Sequence, residues 1–179
     1  MHAVHKILVN IDDCIGFDEI ISRRRRIERI RDYAEKETES FYITAFDWRE
    51  TQTAGRWSSM YPENVLLGKE DGKKLIRELK HCYIVQNREI EIYLGNIKNG
   101  LGDSITEIAK RFNDLSYINN ISMDSYYLHC LVRLLAGIYY FDSGFYDTSE
   151  YTARINVNTI RNVKREPYKW AMVVFDYHY

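Results

Sequence analysis

Lys169-Trp170-Ala171-Met172-Val173-Val174-Phe175-Asp176-Tyr177-His178-Tyr179 closes a sequence of 179 residues and is apolar on both of its period-two faces. Trp170, Met172 and Val174 fall on one side, and Ala171, Val173 and Phe175 on the other. A strand with this pattern is covered above and below, so it belongs inside a sheet and the fold depends on it.

Upstream, Ala153, Ile155 and Val157 alternate with polar residues and predict another strand, joined to the last one by a basic connection. Residues 123–141 are apolar almost all round, which predicts the most buried helix. Ser104-Ile105-Thr106-Glu107 is a capping-box pattern, and Ile105, Ile108, Ala109, Phe112 and Leu115 continue it as a helix. Residues 83–86 and 89–94, separated by Asn87-Arg88, read as a hairpin that follows a short helix opened by Asp71-Gly72 and carrying Leu75, Ile76 and Leu79.

Nearer the start, residues 4–11 form a first strand, and Asp12-Asp13 supplies turn and cap chemistry before a helix over 17–37. Ile20, Ile27 and Ala34 recur every seven residues along that helix. Residues 40–48 alternate with both faces apolar and predict a central strand, and 49–68 form a long irregular segment. The expected architecture is a single α+β domain spanning 1–179, with a mostly antiparallel sheet of five or six strands covered by three to four helices.

Composition narrows the functional classes. Apolar content of 45% with 28% charged residues is that of an ordered globular chain. Three widely spaced cysteines, Cys14, Cys82 and Cys130, without a C-x-x-C pair, argue against a disulfide framework and for a reducing cytoplasm. The apolar run near the start is too short for an export signal, and no window has the length and apolarity of a membrane span, so neither export nor membrane insertion is expected.

Several catalytic patterns fail on single residues. Gly95, Gly100 and Gly102 stand where a phosphate loop belongs, but Leu101 and Gly102 occupy the Lys and Ser/Thr positions of a Walker A loop, and Ile105 stands where the dinucleotide fingerprint needs a small residue. Asp12-Asp13 resembles the start of a haloacid-dehalogenase phosphatase, but Asn10 would have to be its nucleophile. His81-Cys82 and His129-Cys130 place adjacent side chains far apart in direction, poorly suited to one metal ion. Glu89 and Glu91 lack the lysine of a Glu-x-Lys nuclease motif. Asp176 and His178 share a strand face as an acid-imidazole pair with no nucleophile tied to it. No catalytic residue, metal or cofactor is assigned.

Residues 22–31 carry six arginines, Arg23, Arg24, Arg25, Arg26, Arg29 and Arg31, against one acid, in a chain of net charge -1. Charge so segregated predicts a contact surface. Arg161, Lys164, Arg165 and Lys169, interleaved with Tyr168 and Trp170, form a second basic stretch with aromatic platforms. Cations neutralise phosphates and aromatic faces stack on bases, so these two segments point to a non-enzymatic interaction protein that binds nucleic acid or an acidic patch on a nucleic-acid-handling protein. For any single residue, a solvated charged face is an equal explanation. The alternatives are a small enzyme of unassigned reaction and a homo-oligomer, such as a homodimer, whose interface the 15 tyrosines would line. In size and composition, with 2 prolines and abundant Ile, Tyr and Asn, the chain resembles small phage or mobile-element proteins, including anti-CRISPR and antirestriction inhibitors of host nucleases.

Overall fold

The computed structural model describes residues 2–16, 21–39, 48–101, 123–137 and 143–178. Its organising element is β5 (Trp170–His178), in which every residue from Ala171 to Tyr177 is buried, as two apolar faces require. β1 (His2–Asn10) runs antiparallel along the whole of one edge, from Asn10 opposite Trp170 to His2 opposite His178. The other edge is shared end to end by β2 (Trp48–Glu50), opposite Asp176 to His178, and β3 (Val65–Leu67), opposite Ala171 to Val173. β4 (Phe145–Asp147) lies parallel to β1. Among the described residues this makes an open, mixed sheet of five strands, antiparallel at every pairing except β1–β4, in an α+β fold.

Alternation along β5 and β1 sends side chains into two separate cores. Ile7, Val9, Ala171, Val173, Phe175 and Tyr177 meet Ile27, Ile30 and Ala34 of α2 (Arg23–Glu37) on one face. Leu8, Met172 and Val174 meet Leu75, Leu79 and Cys82 of α3 (Gly68–Leu101), together with Val163 of α5 (Val157–Arg165), on the other. Two apolar layers around one sheet follow directly from a central strand with no polar face.

The start of the chain follows expectation, with one change of capping residue. A single helical turn, α1 (Ile11–Cys14), is capped by Asn10, whose side chain accepts from Asp12 N at 3.1 Å. The arginine helix begins at Arg23, later than expected, because the Ser22 hydroxyl accepts from Arg25 N and closes the first turn there. Residues 17–20 lie outside the described residues, as do 40–47, which hold most of the strand expected over 40–48, and 102–122, which hold Gly102, the capping box and its helix.

Residues 83–94 do not form the expected hairpin; they continue α3. Leu75, Leu79, Cys82 and Gln86 are all buried, a helical stripe that runs on to the residue before the expected Asn87-Arg88 turn. The period-two series Ile90, Ile92, Leu94 is incidental, since Ile92 and Leu94 are each more than half exposed. The helix bends at Asp71, whose backbone leaves helical values and whose carboxylate accepts from Leu67 N, which marks the start expected from Asp71-Gly72. Gly95 and Gly100 sit in the helix rather than in a loop after a strand, so the setting of a phosphate loop is absent.

α4 (Met123–Leu135) is less enclosed than expected: Cys130, Leu131 and Leu134 are buried, while His129, Val132, Arg133 and Leu135 face solvent. It meets α3 where the rings of Tyr93 and Tyr127 approach edge to face at 5.9 Å. Residues 138–141 of the expected helix lie outside the described residues.

The strand expected around Ala153, Ile155 and Val157 is a single bridge between Thr152 and Asp147, followed by irregular chain. Gln86 takes the place of a neighbouring strand: its Nε2 donates to Ala153 O at 2.8 Å and its Oε1 accepts from Ile155 N at 2.9 Å. Asn156 then accepts from Thr159 N and starts α5, so the expected basic connection is largely helical. The cysteines are unpaired, and no helix among the described residues is long and apolar enough to cross a membrane.

Candidate nucleic-acid interface

In α2 the buried stripe of Ile27, Ile30 and Ala34 forces the arginines to the flanks and the outer face. Arg23 is already answered by the chain itself. Its Nη1 and Nη2 donate to the two carboxylate oxygens of Glu63 at 3.0 and 2.6 Å, and its Nε donates to Glu70 at 2.8 Å. These hydrogen bonds raise the Arg23 pKa above its ordinary range and hold the Glu63 carboxyl below its own. Arg24 pairs with Glu28 one turn on at 3.0 Å. Arg31 is held by amides, with Nε on Asn64 and Nη1 on Gln52, each at 3.2 Å. Arg25 is exposed, whereas Arg26 and Arg29 are half-buried. The Nε of Arg26 is buried with no hydrogen-bond partner among the described residues.

α5 presents a different surface. Thr159 and Val163 are buried against the sheet, which turns Arg161, Asn162, Lys164 and Arg165 outward. No acidic residue interrupts the helix. Arg161 donates to Asn158 Oδ1 at 3.3 Å and Arg165 to Asn162 Oδ1 at 3.5 Å. A neutral amide orients a guanidinium without cancelling its charge, so Arg161 keeps its full attraction for an anion, while Arg165 shares its charge with Glu166. A 3-10 turn, Pro167–Lys169, follows, with Tyr168 exposed on it. Lys169 is held more tightly by an acid: Glu166 takes its ammonium at 2.8 Å, which lifts the Lys169 pKa and depresses that of Glu166. Glu166 also accepts from the Tyr168 hydroxyl and stands 3.7 Å from Arg165.

The two basic segments belong to opposite layers, because α2 covers one face of the sheet and α5 the other. Among the described residues, the first turn of α3 links them. There Arg23 reaches Glu70 in the first turn of α3, and a Cβ on Gly68, in the same turn, would run into the carbonyls of Pro167 and Trp170.

Between α3 and residues 154–158 lies a cleft of about 310 Å³. Tyr83 and Ile90 line it from the helix, and Ile155 and Val157 from the opposite segment, with the amides of Asn87 and Asn158 also in its lining. Asn87 was expected in a hairpin turn rather than in a site, and the Asn-x-x-Arg spacing of α5 was not expected to matter. The signal was present in Asn158/Arg161 and Asn162/Arg165, but i,i+3 pairs carry meaning only once the segment is known to be helical.

The other titratable groups form structural clusters. The Asp176 carboxylate accepts from His2 Nδ1 at 3.0 Å and from Arg56 N at 3.0 Å. Gly55, at φ +51°, passes so close to it that a Cβ there would collide with the Asp176 side chain. Lys6, Glu78 and Tyr61 form a second enclosed group beneath α3. Glu89 and Glu91, lying on a helix, no longer share a face. His81 and His129 point to solvent while Cys82 and Cys130 are buried, so neither dipeptide presents both groups together. No group of three metal-ligating side chains occurs among the described residues. No protein-family model, curated protein or solved structure matches this chain.

Proposed function

We propose that this is an interaction protein that binds nucleic acid through the outer face of α5 and the turn that follows it, with Arg161, Lys164 and Arg165 on the phosphates and Tyr168 as a stacking platform. One observation carries this reading: Arg161 is oriented by the Asn158 amide rather than by a carboxylate, and neither Arg161 nor Lys164 has an acidic partner among the described residues. Arg23, Arg24, Arg165 and Lys169, by contrast, already have acidic partners in the same chain. Charge that the fold orients but leaves uncancelled is what a polyanion recognises. The exposed Arg25 of α2 adds to the general field from the other layer. Unpaired thiols at Cys14, Cys82 and Cys130 suit a reducing compartment, for which the cytoplasm is the proposed location.

The test is a salt titration of a labelled oligonucleotide, from about 50 to 200 mM, against the protein and against the triple variant Arg161→Ala, Lys164→Ala, Arg165→Ala. The expected result is binding that weakens steeply with salt in the parent chain. In the variant, affinity falls and the logarithmic salt slope flattens by about two to three, one for each phosphate contact removed. Equal binding and equal slope in both chains overturn the proposal. An interaction recovered from lysate that survives nuclease treatment would move the same surface to an acidic protein partner.

A further inference from the structure

Building on the nucleic-acid reading, we infer that the cleft between α3 and residues 154–158 receives one unpaired base, so that the strand bound by α5 is single-stranded. The cleft and the cationic face are continuous. Asn158 lines the cleft and also accepts from Arg161, the first cation of the α5 face, so a strand whose phosphates lie on Arg161 and Lys164 has a base within reach of the opening.

The dimensions and chemistry of the cleft select a base. At about 310 Å³ it falls at the small end of ligand pockets, large enough for one nucleotide and far too small for a duplex. Its lining is mixed, with Tyr83, Ile90 and Val157 to meet the faces of a planar heterocycle and polar side chains to meet its edge. The amide of Asn87 makes no hydrogen bond among the described residues, so both its donor and its acceptor face no competitor for a base edge. Among the described residues no carboxylate lines the cleft, and Arg154 does, so an attached phosphate meets a cation there. Unpaired bases are read in this way, by stacking on side chains and by hydrogen bonds to their exposed edges.

The cleft is also held in shape before any ligand arrives. Gln86 is buried, with Nε2 on Ser143 Oγ and Ala153 O and Oε1 on Ile155 N, which ties residues 153–155 to α3. A wall pinned by two hydrogen bonds to Gln86 loses little freedom on binding.

The experiment measures fluorescence anisotropy with four probes at one salt concentration: a single-stranded oligonucleotide of about ten nucleotides, the duplex of the same sequence, an abasic strand of the same length, and nucleoside monophosphates. The parent chain is expected to bind the single strand at least about tenfold more tightly than the duplex or the abasic strand, the worth of one stacked base. Asn87→Trp and Val157→Trp, both at exposed positions, fill the cleft and are expected to abolish that difference while leaving duplex binding and its salt slope unchanged. Either variant suffices if the other does not fold. Equal affinity for single strand, duplex and abasic strand overturns the base pocket but leaves the α5 interface standing. Monophosphates binding as tightly as the strand also overturn it, assigning the cleft to free nucleotides. Loss of all binding only in the α5 triple variant supports the interface, and absence of binding to every probe in the parent chain removes both readings.

Discussion

Lys6 Nζ on β1 donates to Glu78 Oε2 on α3 at 3.0 Å, an ion pair almost closed to solvent between the sheet and its longest helix. The Tyr61 hydroxyl donates to the same oxygen at 2.9 Å. Burial pushes the Glu78 carboxyl up, but the hydrogen bond and charge of Lys6 outweigh it and hold the pKa below its ordinary value. Burial, with the Glu78 carboxylate beside it, raises the Tyr61 phenol far above its usual range.

Removing one member of this pair leaves the other charged and buried. Lys6→Met or Glu78→Leu alone is therefore expected to cost about 3 to 5 kcal/mol, whereas the double variant should recover most of that loss. Urea denaturation of the four chains completes the cycle, and additive single effects would contradict a coupled pair.

Gln86 substitutes for a strand partner, so its loss should be felt through the backbone. Gln86→Leu keeps an apolar helix position but strands the Ala153 carbonyl, the Ile155 amide and the Ser143 hydroxyl. Each abandoned buried group costs about 1 to 3 kcal/mol. Amide exchange at Ile155 should accelerate by at least about tenfold, while exchange within β5 changes only with global stability.

Acid stability combines two opposing groups. Burial lowers the His5 pKa to about 3, so His5 stabilises the fold fully above the unfolded value near 6.5, and that contribution is lost as pH falls toward 3. Burial raises the Asp147 pKa to about 6, so Asp147 favours the fold below about 4 and that contribution is lost as pH rises to about 6. Between about pH 4 and 6 the two slopes oppose each other. Asp147→Asn keeps an acceptor for Ser149 N and Glu150 N, and should raise stability at neutral pH and steepen its decline in acid. His5→Phe should flatten that decline below pH 6.5, as read by thermal melts across pH.

Arg23, the first of the arginine block, serves the fold rather than a partner. Arg23→Ala is expected to change stability little, since the pairs with Glu63 and Glu70 are solvent-exposed. Oligonucleotide affinity should stay within about twofold of the parent chain, in contrast to the α5 triple variant. A large loss of affinity from Arg23→Ala alone would show that the block binds the ligand directly.

Residues whose role is set by their neighbours in sequence were legible without coordinates. The two-sided apolarity of residues 170–175 makes β5 central, and the spacing of Ile27, Ile30 and Ala34 makes α2 amphipathic. The caps were not legible: cap chemistry was expected at Asp12-Asp13 and Asn156 was expected within a strand, whereas Ser22 and Asn156 start the helices, since several nearby polar residues can cap and the fold selects one. Where two periods compete, as in residues 83–94, local pattern misleads, because only the burial of Cys82 and Gln86 against the sheet distinguishes the helical stripe from the alternation of Ile90, Ile92 and Leu94.

The sequence by itself determined that the chain builds a sheet around its last strand and that it carries two arginine-rich segments. Tertiary structure alone decided which of those cations are cancelled, since Glu63 and Glu70 lie about 40 and 47 positions from Arg23 and meet it only after folding. It also decided that the segments lie on opposite layers and that a cleft opens beside α5. Charge and periodicity are properties of neighbouring residues, whereas neutralisation and concavity arise between residues that the fold brings together.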